Sequence, residues 1–390
     1  MSAPPGNSAE RSGTRAERTA EAVRILAREP RPAGSSAEAR AREYCTTRLR
    51  RAGFNVREEA FEYSAFVGRW GTAIGGLVTL AILLSALAAG WNGRPAFALA
   101  ALTLGAAGLS LAARALARDG VLDLPAERRL GVNLIATREA ATPPGPELRS
   151  SEPRLWLVAH LDSKSQPVPI LVRAAGITLL GAVWIAGFVV ESMQLVGRID
   201  GAPWMWAGLG AAAIVAAAPV IATTVGARSP GALDNATGVA TVLAAAEDAQ
   251  GTHFGVCLTS GEELGLAGAR AWVRRPARGT PPVAINCDSI DDHGATTCMY
   301  SGRRPDALVM TVLAAGSRAG SAIRAHRLLP GVLTDGVALA DANWQVVTLS
   351  KGGIRTLARI HTPRDRSDAL TGSGMDEVAR VLVELIENRT

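Results

Sequence analysis

Hydrophobic residues are spread unevenly along the chain. Residues 70–91 (WGTAIGGLVTLAILLSALAAGW) carry no charge and as a helix are long enough to cross about 30 Å of hydrocarbon. After the short loop NGRP, residues 96–113 repeat the pattern. A second pair follows at 174–190 and 203–226, joined by ESMQLVGRIDGA. Trp70, Trp91, Trp184, Trp204 and Trp206 fall in or at the ends of these segments, where a membrane interface places aromatic side chains. Buried core helices of a soluble domain are the other reading of such runs. Four uncharged runs in two close pairs favour transmembrane hairpins at 69–117 and 168–226.

The polar remainder has the periodicities of ordinary secondary structure. Apolar positions recur at helical spacing over 15–29 and 36–52, and 54–63 alternates like a strand. Residues 131–139 and 155–163 predict two further strands. From 227 to 390 the pattern alternates: helix 238–249, strand 253–260, helix 264–275, strand 282–290, helix 306–320, strand 344–350, helix 375–389. Alternation of this kind predicts an α/β fold, a three-layer sandwich with a mixed, mostly parallel central sheet. Its domain would be assembled from 17–68, 118–167 and 227–390, with the second hairpin inserted inside it. Residues 1–16 are rich in Pro, Gly, Ser and Arg, without the apolar run of a signal peptide, and are expected to form a disordered tail.

Composition changes this picture little. The net charge is +6, and the basic residues are almost all arginine, with Lys164 and Lys351 the exceptions. No basic cluster is interleaved with aromatics, so nucleic acid is not expected as a partner. The cysteines, Cys45, Cys257, Cys287 and Cys298, lie far apart without CxxC spacing; buried free thiols are expected rather than a disulfide framework.

Candidate chemistry sits at the predicted strand ends. In AHLDS, Asp162 follows His160 by two residues, on the same face, and could orient a metal-binding ring. GALDNATG places Asp234 in a glycine-rich turn before a helix, as a cap or a ligand. INCDSI ends an apolar strand on Asp288, where an acid must be solvated, paired or metal-bound. SGEELGL sets Glu262 beside Glu263. Both could be solvated acids in a first helical turn, or one could hold a metal while the other handles a proton. His361 lies in the loop IHTPRD. Strand ends of one α/β sheet converge on one edge, which would gather His160, Asp234, Glu263, Asp288 and His361. Two imidazoles with three carboxylates suit zinc or a similar divalent ion.

In that order, AHLDS, GALDN, SGEELGL, NCDS and IHTPRD resemble the co-catalytic di-zinc exopeptidases of the aminopeptidase Y and glutamate carboxypeptidase type. The resemblance covers roughly 20–68 and 118–390, outside the apolar hairpins. It implies two zinc ions, one on His160 and Asp288, the other on Glu263 and His361, with Asp234 bridging. It further implies Glu262 as general base, Asp162 as support of His160, and a non-proline cis peptide after Asp234. Two departures stand out. The stretch between His160 and Asp234 shortens to an ordinary loop only when 168–226 is removed, and Arg366–Ser367 follow Asp365 where the family carries a threonine.

The expected activity is therefore that of a membrane-embedded zinc exopeptidase, an aminopeptidase, acting on peptides. Another di-metal amide hydrolase (a deacylase or carboxypeptidase) and a catalytically silent interaction module are the alternatives; the oligomeric state is not legible. Because His160 precedes the second hairpin and the other ligands follow it, that hairpin must return to the side it left, and the first must do so too because the N-terminal helices and strand belong to the same domain. The basic residues near the span ends put the catalytic side in the cytoplasm; an extracytoplasmic placement, as for many relatives, is the alternative.

Overall fold

The computed structural model describes residues 13–138, 153–251, 253–274, 281–329 and 331–388. Contacts divide the chain into two units: one of residues 1–62, 130–164 and 227–390, the other of 63–129 and 165–226.

In the first unit, α1 (Arg15–Leu26) starts from a capping box of Thr14 and Glu17, and α2 (Ser36–Arg51) from the Ser35 hydroxyl; both satisfy amides that a helix start leaves open. The sheet comprises β1 (Asn55–Ser64), β2 (Arg128–Thr137), β3 (Leu155–His160), β4 (Phe254–Thr259), β5 (Val283–Ile290), β6 (Ala295–Tyr300), β7 (Ile323–Arg327) and β8 (Gln345–Gly352), in the order β1-β2-β4-β3-β5-β8-β6-β7. β3 pairs in parallel with β4 and β5, β5 with β8, and β6 with β7; β2–β4 and β6–β8 are antiparallel. Every residue of β3 and β4 is buried, as strands covered on both faces require.

One face of the sheet packs against α8 (Thr237–Asp248), which in turn meets α1 and α13 (Ser373–Glu387). On the other face Trp156, Val158 and Ala284 pack with Leu339 of α11 (Asp335–Asp341) and Trp272 of α9 (Ala267–Val273). There Trp272 stands edge-on to Trp156, ring centroids 5.0 Å apart, and 4.8 Å from Trp344. α10 (Asp306–Arg318) lies on α13 and β7. The three-layer, mostly parallel α/β fold is thus as expected. The four cysteines are buried free thiols.

Several elements differ from the sequence reading. β6 (ATTCMY) and β7 (IRAHR) were not expected as strands: one is short and threonine-rich, and the other carries arginines at an edge position. α11 spans only two turns, too few for a helical period to show. The first helix starts at Arg15, where the helical spacing begins, so the expected tail overlaps it only at Arg15 and Ala16; residues 1–12 of that tail lie outside the described residues. So do the expected ends at Glu139, Arg275 and Arg389.

The second unit contains α3 (Phe66–Trp91), α4 (Pro95–Ala115), the short α5 (Val121–Asp123), α6 (Ile170–Leu195) and α7 (Pro203–Ile221). The long helices pack through small residues: a Cβ on Gly176 would lie 2.8 Å from the Ala216 carbonyl, and one on Gly76 2.9 Å from Val220. Ala86, Ala98, Ala213, Ala216 and Ala217 fill the centre, allowing the close approach typical of helices that pack without a hydrophobic drive. The outward faces are apolar and open, with Leu104, Leu111, Ile185, Val215 and Trp204 each more than 60 % exposed. All four long helices have the length and composition to cross a membrane.

Candidate metal centre

The parallel strands bring the expected residues to one edge of the sheet. His160 is the last residue of β3. Pairing of β5 with β8 slips between Cys287 and Ile290, and irregularities of this kind re-aim side chains near sites; Asp288 lies in that slip. Glu262 and Glu263 open a single 3-10 turn (Glu262–Leu264) directly after β4, and α9 begins only at Ala267, later than the sequence indicates. His361, with φ +61°, follows the short α12 (Ile354–Leu357).

Asp234 sits in the tight turn Ala232–Ala236, and its peptide bond to Asn235 is cis. Several groups hold this turn. Asp365 accepts the amides of Leu233 at 2.6 Å and Asp234 at 3.2 Å. The Asn235 amide donates to the Cys287 carbonyl at 2.9 Å while its oxygen accepts from Gly238 and Ser289. Gly231 precedes the turn at φ +63°, and a Cβ there would meet Ser163 Cβ at 2.4 Å and the Asp234 carbonyl at 2.5 Å; glycine alone fits both restrictions.

Arg31 joins this turn to the loop behind β3. Its buried guanidinium donates to the carbonyls of Leu161 (2.9 Å), Leu26 (2.7 Å), Pro230 (2.6 Å) and Gly231 (3.0 Å). Arg31, Asp365 and Lys164 are site residues that sequence reasoning did not find. A single arginine or aspartate in a loop carries no periodicity, and all three work through partners distant in the chain.

The donors form two clusters that share Asp234. His160, Asp234 and Asp288 offer ligand atoms all within 4.8 Å of one another, and so do Asp234, Glu263 and His361. His160 Nε2 lies 3.1 Å from Asp234 Oδ1, and His361 Nε2 lies 2.9 Å from Oδ2 and 3.3 Å from Glu263 Oε2. Glu262 belongs to neither cluster, with Oε2 3.9 Å from His160 Nε2. Asp162 is fully buried, but its carboxylate is not the nearest acceptor to His160. Nδ1 is 3.1 Å from the Asp162 backbone carbonyl and 3.7 Å from Oδ1. The carboxylate instead accepts the amides of Glu262 and Glu263.

The electrostatics call for cations. Burial pushes Glu262 well above the ordinary carboxylate range, with Glu263 and Asp288 adding to it against His160. Burial likewise lifts Asp288 to about 7. Burial would raise Glu263 too, but the Lys164 ammonium and His361 together outweigh it and hold the group at about 2. Burial would lower both histidines, yet the carboxylates around them outweigh it and raise them. Buried carboxylates in this number need compensating charge. His160 Nε2 is buried and, although Asp234 Oδ1 lies 3.1 Å away, has no well-aligned hydrogen bond among the described residues. An orphaned imidazole nitrogen facing two carboxylates, and a second imidazole facing the same bridging acid, fit the borderline-soft character of zinc.

An α/β sheet with histidines and carboxylates gathered at its strand ends defines a metallohydrolase. The chain belongs to peptidase family M28, whose pattern matches residues 133–386, and is a metallopeptidase. Among solved structures it is similar to the aminopeptidase from Aneurinibacillus sp. strain AM-1 (14% identity, covering 96% of this chain and 93% of that one, TM-score 0.55). It is likewise similar to a zinc aminopeptidase from Bacillus subtilis (12% identity, 96% and 95% covered, TM-score 0.54) and to the glutaminyl cyclase of Porphyromonas gingivalis (14% identity, 96% and 98% covered, TM-score 0.54). At these identities the likeness is one of fold. No curated protein matches the chain.

Proposed function

We propose that this chain is a membrane-embedded, two-zinc exopeptidase that removes amino-terminal residues from peptides. The observation that carries the reading is the pair of buried donor clusters sharing Asp234, with Glu262 left outside both. In this reading His160, Asp234 and Asp288 hold one ion and Asp234, Glu263 and His361 the other. Bound there, such ions lower the pKa of a water and polarise a scissile carbonyl. Glu262 accepts the proton of the attacking water and delivers it to the departing amine. Asp162 keeps the Glu262–Glu263 turn in place through two amides, so one carboxylate faces the metal position while its neighbour faces the reaction.

Membrane embedding rests on the second unit. Its four long helices bury between 11% and 28% of their most apolar windows; what remains exposed is the apolar surface that lipid would cover. The metallopeptidase unit would then be tethered by two hairpins, with the second inserted between His160 and Asp234.

The test is a panel of aminoacyl amides, N-acyl amino acids and amino-terminal glutaminyl peptides, assayed on detergent-solubilised enzyme before and after chelation. Aminoacyl hydrolysis that is abolished by chelation and restored by zinc or cobalt is expected. Pure, active enzyme without bound transition metal would overturn the reading. Hydrolysis of N-acyl substrates alone would replace the aminopeptidase by a deacylase, and cyclisation of the glutaminyl peptide would replace it by a cyclase.

A further inference from the structure

Lys164 is one of two lysines in the chain, and it lies inside the donor set. Its Nζ is 2.6 Å from Glu263 Oε2, and its backbone amide donates to Glu263 Oε1 at 3.2 Å. The main chain at this point is fixed from both sides. Ser163 is bonded to Arg31 in both directions, and Ser165 exchanges two backbone hydrogen bonds of 2.8 Å with Gly226. The Lys164 side chain keeps 17% of its surface exposed, although its Nζ lies on the nearly buried Glu263 carboxylate.

A divalent ion on Glu263 would stand close to the ammonium on the same carboxylate, and the repulsion of like charges a few ångströms apart disfavours the present Lys164 position in the loaded site. The backbone is anchored, so the adjustment falls on the flexible four-carbon stem. Lysine is suited to it, being a compact charge with three rotatable donors. The ammonium then needs an anion within a short reach. In a dipeptide the terminal carboxylate lies about one residue length, ~3.8 Å, beyond the scissile carbonyl. An amide or an ester at the same place offers no charge to meet the ammonium.

We propose that Lys164 is a specificity residue that, in the metal-loaded site, binds the free carboxylate of the leaving amino acid, so that dipeptides are the preferred substrates. This rests on the metallopeptidase reading above and deepens it by naming the substrate class. It has a second consequence. The ammonium competes with the ion held by Asp234, Glu263 and His361, so removing it tightens metal binding there.

The experiment compares wild-type, Lys164→Met and Lys164→Arg holoenzymes on leucylglycine and leucylglycinamide, with zinc affinity measured in parallel by chelator competition. The wild type should favour the free acid. Lys164→Met should lose about ten- to hundredfold of the acid-to-amide ratio of kcat/KM, the range of one charge-assisted hydrogen bond, and should retain zinc more tightly. Lys164→Arg should keep most of the preference. A Lys164→Met enzyme that binds zinc yet keeps the wild-type ratio, or loses both substrates in equal proportion, would overturn the proposal while leaving the peptidase reading intact. Turnover of neither substrate by the zinc-loaded wild type would overturn both.

Discussion

The carboxylate of Asp162 accepts the backbone amide of Glu262 at 3.1 Å through one oxygen, and that of Glu263 at 3.2 Å through the other. Two amides aimed at one carboxylate need both oxygens as acceptors. Asp162→Asn turns one of them into an NH2 group that faces an N–H. The expected outcome is a loss of about ten- to hundredfold in kcat/KM, the usual effect of disturbing groups that orient a metal site, with the far-UV circular dichroism unchanged. Steady-state kinetics beside metal analysis check it. Wild-type activity would show that the turn holds without Asp162.

The adjacent glutamates should separate cleanly by mutation. Glu262→Gln keeps volume and removes the base. Turnover should fall by about 10²- to 10⁴-fold while zinc stoichiometry stays at the wild-type value. Glu263→Ala removes a donor from the second cluster and should lose zinc and activity together. Near-normal turnover in Glu262→Gln would remove Glu262 from the mechanism.

The sequence made the layers of the fold and the donor residues visible for physical reasons. Short apolar runs such as LWLVAH (155–160), too brief for a core helix, read as a strand covered on both faces, and acids at the ends of such runs need a partner. The grip on the Asp234 turn was not visible. Arg31 is 203 positions from Asp234, and Asp365 is 131 positions away, and neither stands in a pattern. Nor was the true acceptor for the His160 ring: the i+2 spacing suggests the Asp162 carboxylate, whereas the backbone carbonyl of the same residue is nearer. Periodicity reports which face a residue lies on and says nothing of which of its atoms is used.

The last helix supplies a pH-dependent stability. α13 begins behind Gly372, which has no side chain to cap it. Asp292 does so from a distance, accepting Gly374 N at 3.0 Å and the amide and hydroxyl of Thr371. Burial would raise this carboxyl, but these hydrogen bonds outweigh it and hold the group below its ordinary value. A folded-state pKa below the unfolded value of ~3.9 contributes stability that is fully present above that value. The contribution is lost as pH falls through the folded value. Asp292→Asn should therefore cost about 0.5–1 kcal/mol near pH 7, a modest figure because solvent screens this half-buried position. The gap from wild type should narrow below about pH 4. Thermal melts of both proteins across pH in one detergent measure it; a gap independent of pH would mean that the charge plays no part.

The final expectation concerns topology. Residues 165 and 226, which bracket the second hairpin, are hydrogen-bonded to each other in both directions. At the base of the first, Ala65 N donates to the Glu127 carbonyl at 3.1 Å. Each hairpin thus returns to the point where it left. If the long helices span a bilayer, they make an even number of crossings, and both termini share a side with the donor residues. The connecting loops at the far end carry Arg94 and Arg198, whereas Arg57, Arg69, Arg114, Arg118, Lys164, Arg173 and Arg228 lie near the near ends of the spans. Basic residues close to span ends are retained in the cytoplasm, so a cytoplasmic metal centre is the outcome expected of the test below. A fluorescent reporter fused after Thr390 should light up in whole cells, and alkaline phosphatase at the same place should stay silent. Loops opened at Gly93 and at Gly197 to receive the same reporters should give the opposite result. Phosphatase activity at Thr390 would reverse the orientation while keeping the four spans, and opposite sides for Gly93 and Gly197 would remove the paired-hairpin topology itself.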